Sequence, residues 1–249
     1  MNLNNRVCYV AGDSKTSQTI SRELALRGMA VSPSPSEDVT HLVLGVPCRL
    51  GSSELEWLLE QLPKDVQVFG GFLDRLELQG YRCADLLKDE GYLAKNANIT
   101  AHCALRLVLE QLPVTIEQCP VLILGGGRIS KCLAQLLRSC GAEVVVAARN
   151  PSQRAMLEAL GYETEVLPLP QYILPRFRVV FNTVPAPVLS GLALENCRKD
   201  CVKIALASFP GMEGDGIIDG RGLPGRFAPE SSGKLIAKTI LGLCNRKEA

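Results

Sequence analysis

Short apolar runs alternate along the chain with longer amphipathic stretches, and each apolar run is closed by glycine or a small polar residue. That rhythm predicts strands and helices in turn, and hence parallel sheets with helical crossovers. The clearest instance runs from Val121 to Arg149. Val121–Leu124 is a continuous apolar run suited to a strand covered on both faces. Three glycines follow, then a helical stretch to Gly141, then a second apolar run, Glu143–Ala147, ending beside Arg149.

The N-terminal half echoes this unit. Val10-Ala-Gly-Asp, followed by a helical stretch to Gly28, matches Leu124-Gly-Gly-Gly through Gly141, with Gly12 opposite Gly125. Met29–Ser32, Thr40–Gly45 and Val66–Phe69 read as further strands, Leu55–Leu62 as a helix and Asp85–Glu90 as a short helical turn. The segment up to Asn98 reads as a polar link. Asn98–Leu112 reads as an amphipathic helix capped by Asn98 or Thr100 and ended by Pro113. Beyond Arg149 the pattern predicts a helix over Ser152–Leu160 and strands near Thr164–Leu167, Arg178–Pro185 and Val202–Ser208. A glycine- and proline-rich loop, Gly222–Lys234, leads into a C-terminal helix starting near Ser231 or Ser232 and ending at Cys244.

The fold class predicted is α/β with two parallel-sheet domains. Residues 1–95 form a flavodoxin-like, substrate-side domain. Residues 96–228 form a Rossmann-type dinucleotide-binding domain that includes the linking helix. Residues 229–249 form a helix packing back across both. The two sheets are expected to face each other across a cleft.

The glycine triplet carries the candidate chemistry. Gly125 allows a tight turn, and Gly127 lets backbone approach a pyrophosphate. The following helix offers N–H groups and a positive dipole end, with Arg128 and Ile129 in its first turn. Ser130 takes the place of the third small residue of the fingerprint. The same glycines could instead only shape a turn. After the second strand, where NAD sites place an acid, the chain reads Ala147-Ala-Arg-Asn-Pro-Ser-Gln-Arg154. Arg149 and Arg154 suit a 2′-phosphate, which favours NADP over NAD. Asn150 reads as a donor to that phosphate and as a helix cap preceding Pro151, and both roles can hold at once. Asn182, Thr183, Val184 and Ser208 fall at strand ends on the same rim as Gly125. An aspartate at position 13 would repel a pyrophosphate, so the first glycine turn is assigned to the substrate side.

Composition narrows the classes. With 249 residues, 27 basic and 26 acidic side chains, there is no electrostatic case for nucleic acid or an anionic membrane. No apolar run reaches the ~18 residues that span a bilayer, and the first residues carry no recognisable signal peptide. Ten cysteines without a C-x-x-C pair, and only two histidines, argue for reduced thiols in a cytoplasmic protein and against a metal site. Cys103 is the best-placed thiol should one be catalytic. His41 opens a strand and reads as structural.

The order of motifs resembles the dipicolinate synthase A-subunit family, a two-domain relative of NAD(P)-dependent 2-hydroxyacid and alanine dehydrogenases. The resemblance rests on the glycine loop, Ala148-Arg-Asn150, Asn182-Thr-Val-Pro185, Leu206-Ala-Ser208 with Pro210-Gly211, and Gly222-Leu-Pro-Gly225 with Ala228-Pro229. It covers most of residues 95–240. It implies oxidation of a dihydrodipicolinate-type ring precursor with NADP in the cytoplasm of a sporulating cell. A flavoprotein-like B subunit would be the partner, and a homo-oligomer is a further assembly open to it. In that frame His102, in the first turn of the linking helix, would move the proton that accompanies hydride transfer. Asp13, Thr100, Arg221 and Arg226 would meet a pyridine- or dihydropyridine-dicarboxylate. The chain departs from the family pattern at Thr100-Ala-His-Cys103, at Ala205 in place of an acid and at Phe209 in place of a basic residue. The alternative is a nucleotide-binding regulatory or interaction subunit without catalysis.

Overall fold

The computed structural model describes residues 6–209, 211–212 and 214–246. The first residues, read above for a signal peptide, and Pro210 of the Pro-Gly motif lie outside them. The chain forms two units. One comprises the described residues up to Asn96 together with those from Pro224 onward; the other is Ala97–Leu223.

The first unit holds β1 (Val7–Val10), α1 (Lys15–Ala25), β2 (Ala30–Val31), β3 (His41–Val43), α2 (Ser52–Glu60), β4 (Gln67–Gly70) and β5 (Arg82–Asp85). Its strands pair in the order β2-β1-β3-β4-β5, all parallel. This is the 2-1-3-4-5 order of flavodoxin-like sheets. Leu42 and Val68 from β3 and β4, Leu44 and Val66 beside them, and Leu55, Leu58 and Leu59 from α2 share one buried core cluster.

α3 (Glu90–Gln111) crosses from the first unit into the second. It starts well before the expected Asn98. Asp89 is the cap: its Oδ1 accepts from Tyr92 N–H at 2.7 Å, and its carbonyl accepts from Leu93 N–H at 2.9 Å. The stretch read as a polar link is therefore helix, because a good cap outweighs one unfavourable Gly91. Buried Tyr92, Ala97, Ala101, Ala104 and Val108 continue one stripe along it.

The second unit follows with β6 (Pro120–Leu124), α4 (Arg128–Ser139), β7 (Glu143–Ala148), α5 (Pro151–Ala159), β8 (Glu163–Val166), β9 (Val179–Asn182), α6 (Gly191–Glu195), β10 (Val202–Ala205) and β11 (Ile217–Asp219). The strand order is β11-β10-β9-β6-β7-β8, all parallel. Counted from β6 this is 3-2-1-4-5-6 read from the far edge, the order of dinucleotide-binding sheets. β5 and β11 had no apolar run to announce them. β5 is an edge strand with two exposed residues, and β11 is three residues long.

The internal echo is a matter of backbone bonding. α1 closes with Met29 N–H on the Leu24 carbonyl and Gly28 N–H on Ala25, while α4 closes with Ala142 on Leu137 and Gly141 on Arg138. Gly28 and Gly141 have φ of +86° and +83°, the left-handed step this cap requires.

The segment Gly222–Lys234 is not a loop. It contains α7 (Leu223–Phe227) and the start of α8 (Pro229–Arg246). Pro224 and Pro229 both sit in first turns, where no N–H is needed, so proline marks helix entry here. α8 packs on α1 within the first unit. A Cβ on Gly233 would lie 2.6 Å from Thr19 Cβ and 2.9 Å from the Thr16 carbonyl, so the helices touch backbone to side chain there.

This contact predicts opposite outcomes for two glycines of α8. Gly233→Val should lower stability by roughly 1–3 kcal/mol through overpacking. Gly242→Ala, with nothing within 4 Å of its would-be Cβ, should raise it by up to about 1 kcal/mol from helix propensity. Urea midpoints of the two variants would check both; equal shifts would mean the α1–α8 contact is looser than described.

Candidate nucleotide site

Leu124, the last residue of β6, pairs with Ala147 on one side and Asn182 on the other. The strand order reverses between β6 and β9. Connections leaving these two strands diverge to opposite faces, and a crevice opens beyond their C-terminal ends. The glycine loop occupies that point.

Each glycine has its own reason. Gly125 has φ +109° and donates its N–H to the Ala147 carbonyl at 2.8 Å. A side chain there would collide with the Thr183 hydroxyl and come within 3.1 Å of Val184 Cγ2. Gly126 is packed under α5, its would-be Cβ 2.6 Å from Gln153 Oε1 and 3.2 Å from Ala148 Cβ. Gly127 differs: its φ is an ordinary −80°, and nothing lies within 4 Å of its would-be Cβ. Gly125 is demanded by its backbone conformation, and Gly126 sits where a Cβ would have to push Gln153 and Ala148 aside. At Gly127 the protein leaves space.

Gly127 caps α4, whose internal ladder opens with Lys131 N–H on the Gly127 carbonyl at 3.1 Å. The N–H groups of Arg128, Ile129 and Ser130 precede that ladder and form the helix's donor end. Ser130 is fully buried, and its hydroxyl has no protein hydrogen-bond partner. It fills the place of the third glycine at the cost of one stranded polar atom.

The opposite wall is locked. Thr183 donates both its N–H (2.9 Å) and its hydroxyl (2.8 Å) to the Leu124 carbonyl. Asn182 is fully buried; its amide nitrogen donates to the Val184 carbonyl, and its oxygen accepts from Val184 N–H. Its side chain therefore builds the turn. Gly211 is the reason the Pro-Gly motif needs glycine: a Cβ there would strike the Asn182 amide and the Val184 and Ala186 carbonyls. Ser208 stands exposed beyond β10.

At the end of β7, Asn150 caps α5: its oxygen accepts from Ser152 N–H at 2.9 Å and Gln153 N–H at 3.3 Å, with Pro151 in the first turn. Only its amide nitrogen can serve a phosphate. Arg154 donates to the carbonyls of Ala148 and Arg149 at 2.8 and 2.9 Å, fixing the loop that carries Arg149. Arg149 itself is exposed.

The structure thus gathers Gly125, Gly127, Arg128, Ile129, Asn182, Thr183 and Val184 around one rim, with Arg149, Asn150 and Arg154 at the neighbouring strand end and Ser208 beyond β10. Sequence reading missed Gln153, which packs on Gly126, and the anchoring role of Arg154. Neither has a signal in spacing, because both act through chain segments far from the triplet.

The substrate-side assignments fare differently. His102 lies about three turns into α3, so no helix end acts on it; it is exposed. Thr100 is buried on the same helix and is not its cap. Arg221 is tied to Asp219 by two hydrogen bonds, 2.9 and 2.8 Å. Arg226 belongs to the first unit and lies over the Phe227 ring, 5.4 Å from its centre. Asp13 is exposed in the first unit, its carbonyl accepting from Gln18. Cys103 is buried, and burial pushes its thiol up, away from nucleophilic use. His41 stacks on Phe69, ring centres 5.9 Å apart, with Thr40 Oγ1 2.7 Å from its Nδ1, a structural role. Among the described residues no group of three or more His, Cys, Asp or Glu could hold a metal ion, and no helix is long and apolar enough to cross a membrane.

No protein-family model matches the chain. It is 25% identical over 198 residues to the dipicolinate synthase A subunit of Bacillus subtilis (strain 168), covering 73% of this chain and 66% of that protein. It is 28% identical over 162 residues to glutamyl-tRNA reductase of Idiomarina loihiensis, covering 64% of this chain but 37% of the reductase. Among solved structures, the dipicolinate synthase A subunit from Bacillus halodurans superposes with a TM-score of 0.82 at 21% identity, covering 98% of this chain and 99% of that one. An L-alanine dehydrogenase gives 0.65 at 14% identity, covering 89% and 76%. The chain resembles the dipicolinate synthase A subunit in sequence and shares its fold, with two parallel-sheet domains of the dehydrogenase type.

Two variants separate the glycines. Gly125→Ala should cost stability, by roughly 1–3 kcal/mol or more, whereas Gly127→Val should keep the melting temperature of the wild type and lose dinucleotide binding. Retained binding in Gly127→Val would remove the loop from the site. Ser130→Ala should raise stability by about 1 kcal/mol, since it deletes an unsatisfied hydroxyl; a loss in chemical denaturation would mean that the hydroxyl has a partner.

Proposed function

We propose that the protein is an NADP-dependent oxidoreductase similar to the A subunit of dipicolinate synthase. The observation that supports it most is the contrast among the glycines: a Cβ would crowd the protein at positions 125 and 126, whereas at 127 it would meet open space. A pyrophosphate over the α4 donors fits that space. When bound, the nicotinamide would take a hydride from the substrate. The chain's own residues do the rest. The first turn of α4 holds the diphosphate, Arg149 faces the 2′-phosphate from a loop stiffened by Arg154, and Thr183 and Val184 keep the floor of the crevice fixed.

In this reading the substrate is a dihydropyridine dicarboxylate, worked on in the cytoplasm of a sporulating cell beside a flavoprotein-like B subunit. Proton transfer falls to His102, whose candidacy rests on its being an exposed imidazole rather than on any helix-end effect. A second reading, a nucleotide-binding subunit without catalysis, is favoured by one observation. Arg221, one of the two arginines expected to meet the dicarboxylate, is already bound bidentately by Asp219.

Thermal shifts with NADP, NADPH, NAD and NADH test the cofactor. A ligand at about 100 times its Kd stabilises by roughly 2.7 kcal/mol. NADP should bind several-fold more tightly than NAD, and Arg149→Ala should erase that preference while leaving NAD binding as it was; equal losses for both would take Arg149 away from the 2′-phosphate. NADPH formation from dihydrodipicolinate, lost in His102→Gln with NADP binding intact, would separate the enzyme from the non-catalytic reading.

A further inference from the structure

Two thiols of the second unit stand together outside the crevice. α6 ends at Glu195, and the chain then turns through Cys197-Arg-Lys-Asp-Cys201 before entering β10 at Val202. The turn is held by backbone bonds from Cys197 N–H to the Leu194 carbonyl and from Cys201 N–H to the Arg198 carbonyl at 3.0 Å. Arg198 and Asp200 pair across its outer side, 2.8 Å apart. Both cysteines pack on the same apolar cluster as Leu189, Ala193, Leu194 and Met212. The Cys201 thiol donates to the Val202 carbonyl at 3.9 Å, and each thiol acts on the ionisation of the other. Cys197 is half-buried and Cys201 is buried, so a reagent would meet Cys197 first.

We infer that Cys197 and Cys201 are a reversible dithiol–disulfide pair, in which Cys197 attacks a low-molecular-weight disulfide and Cys201 resolves the adduct. The Cys197 thiolate attacks one sulfur of the disulfide R–S–S–R. A mixed disulfide forms, and one thiolate RS⁻ leaves. Cys201 then gives up its proton and attacks the Cys197 sulfur, expelling the second RS⁻. Two protein thiols are oxidised, one disulfide is reduced to two thiols, and the protein's protons end on the leaving groups. A dithiol reductant reverses the sequence.

The electrostatics assign the same roles. The Cys201 thiol, aided by the charge of Lys203 against the opposing effect of burial, brings the Cys197 thiol down to about 7. The Cys197 thiol, together with burial, drives Cys201 upward. Lys203 and Asp200 act on Cys201 in opposite senses. Near neutral pH, Cys197 is thus the attacking partner and Cys201 the one held in reserve. The other cysteines with a resolved shift, Cys8, Cys103, Cys119 and Cys132, are all pushed up by burial.

The turn makes the test direct, because trypsin cuts after Arg198 and Lys199 and separates the two cysteines. The whole chain is treated with glutathione disulfide at pH 7, alkylated without reduction, digested and read by mass spectrometry. The expected product links the peptide ending at Arg198 to the peptide Asp200–Lys203, and it disappears on reduction. In Cys201→Ser, glutathione should stay on Cys197; in Cys197→Ser, Cys201 should remain unmodified. Alkylation of Cys197 should rise with pH about a midpoint near 7 and shift upward in Cys201→Ser. The inference is overturned if the wild type gives no linked peptides, if glutathione persists on Cys197 with Cys201 present, or if Cys201 reacts equally well alone.

Discussion

Parallel strands cannot be joined by tight turns, and the second unit follows from that restriction. Every strand must be followed by a crossover that returns the chain to the same starting edge. All the C-terminal ends therefore point one way, and the residues that follow them gather on one rim. Where the strand order reverses, between β6 and β9, the crossovers part. Gly125, Thr183 and the start of α4 meet there because the pairing of Leu124 with Ala147 and Asn182 leaves them nowhere else to go. The main-chain hydrogen bonds are the constraint; the side chains of the rim elaborate it.

The sheets were legible where the pattern is dense. Val121–Leu124, Val179–Phe181 and Val202–Ala205 are buried or partly buried on both faces, and such strands read as mainly apolar runs, Lys203 excepted. The echo between the two halves was legible too, since the left-handed cap at Gly28 and Gly141 tolerates few other residues. Edges were not legible. β5 has exposed positions and β11 is too short to show a period. The start of α3 was hidden because one cap, Asp89, decides it, and capping depends on a single hydrogen bond rather than on a pattern. The two prolines at 224 and 229 read as loop when they are helix starts.

The candidate site divides in the same way. Backbone-determined parts, the glycine turn and the strand ends, stand where the spacing put them. Side-chain assignments depended on what else each group could reach. Asn182 turned out to build its own turn, Arg154 to hold carbonyls, and Arg221 to bind Asp219. All three are polar residues at the right end of the sheet, and all three satisfy partners that lie close by in the fold. A polar residue near a rim is a ligand group only when local structure has not already claimed it. Arg149 stands exposed at the end of β7.

The first unit is assembled from two distant pieces of chain, with the whole second unit between them. Synthesis runs in one direction, so every strand of the second sheet is made before α8. Until α8 arrives, the face of α1 around Thr19 lacks the surface that finally covers it. The first unit therefore depends on a contact between segments more than two hundred residues apart, and it stays incomplete until α8 closes over α1.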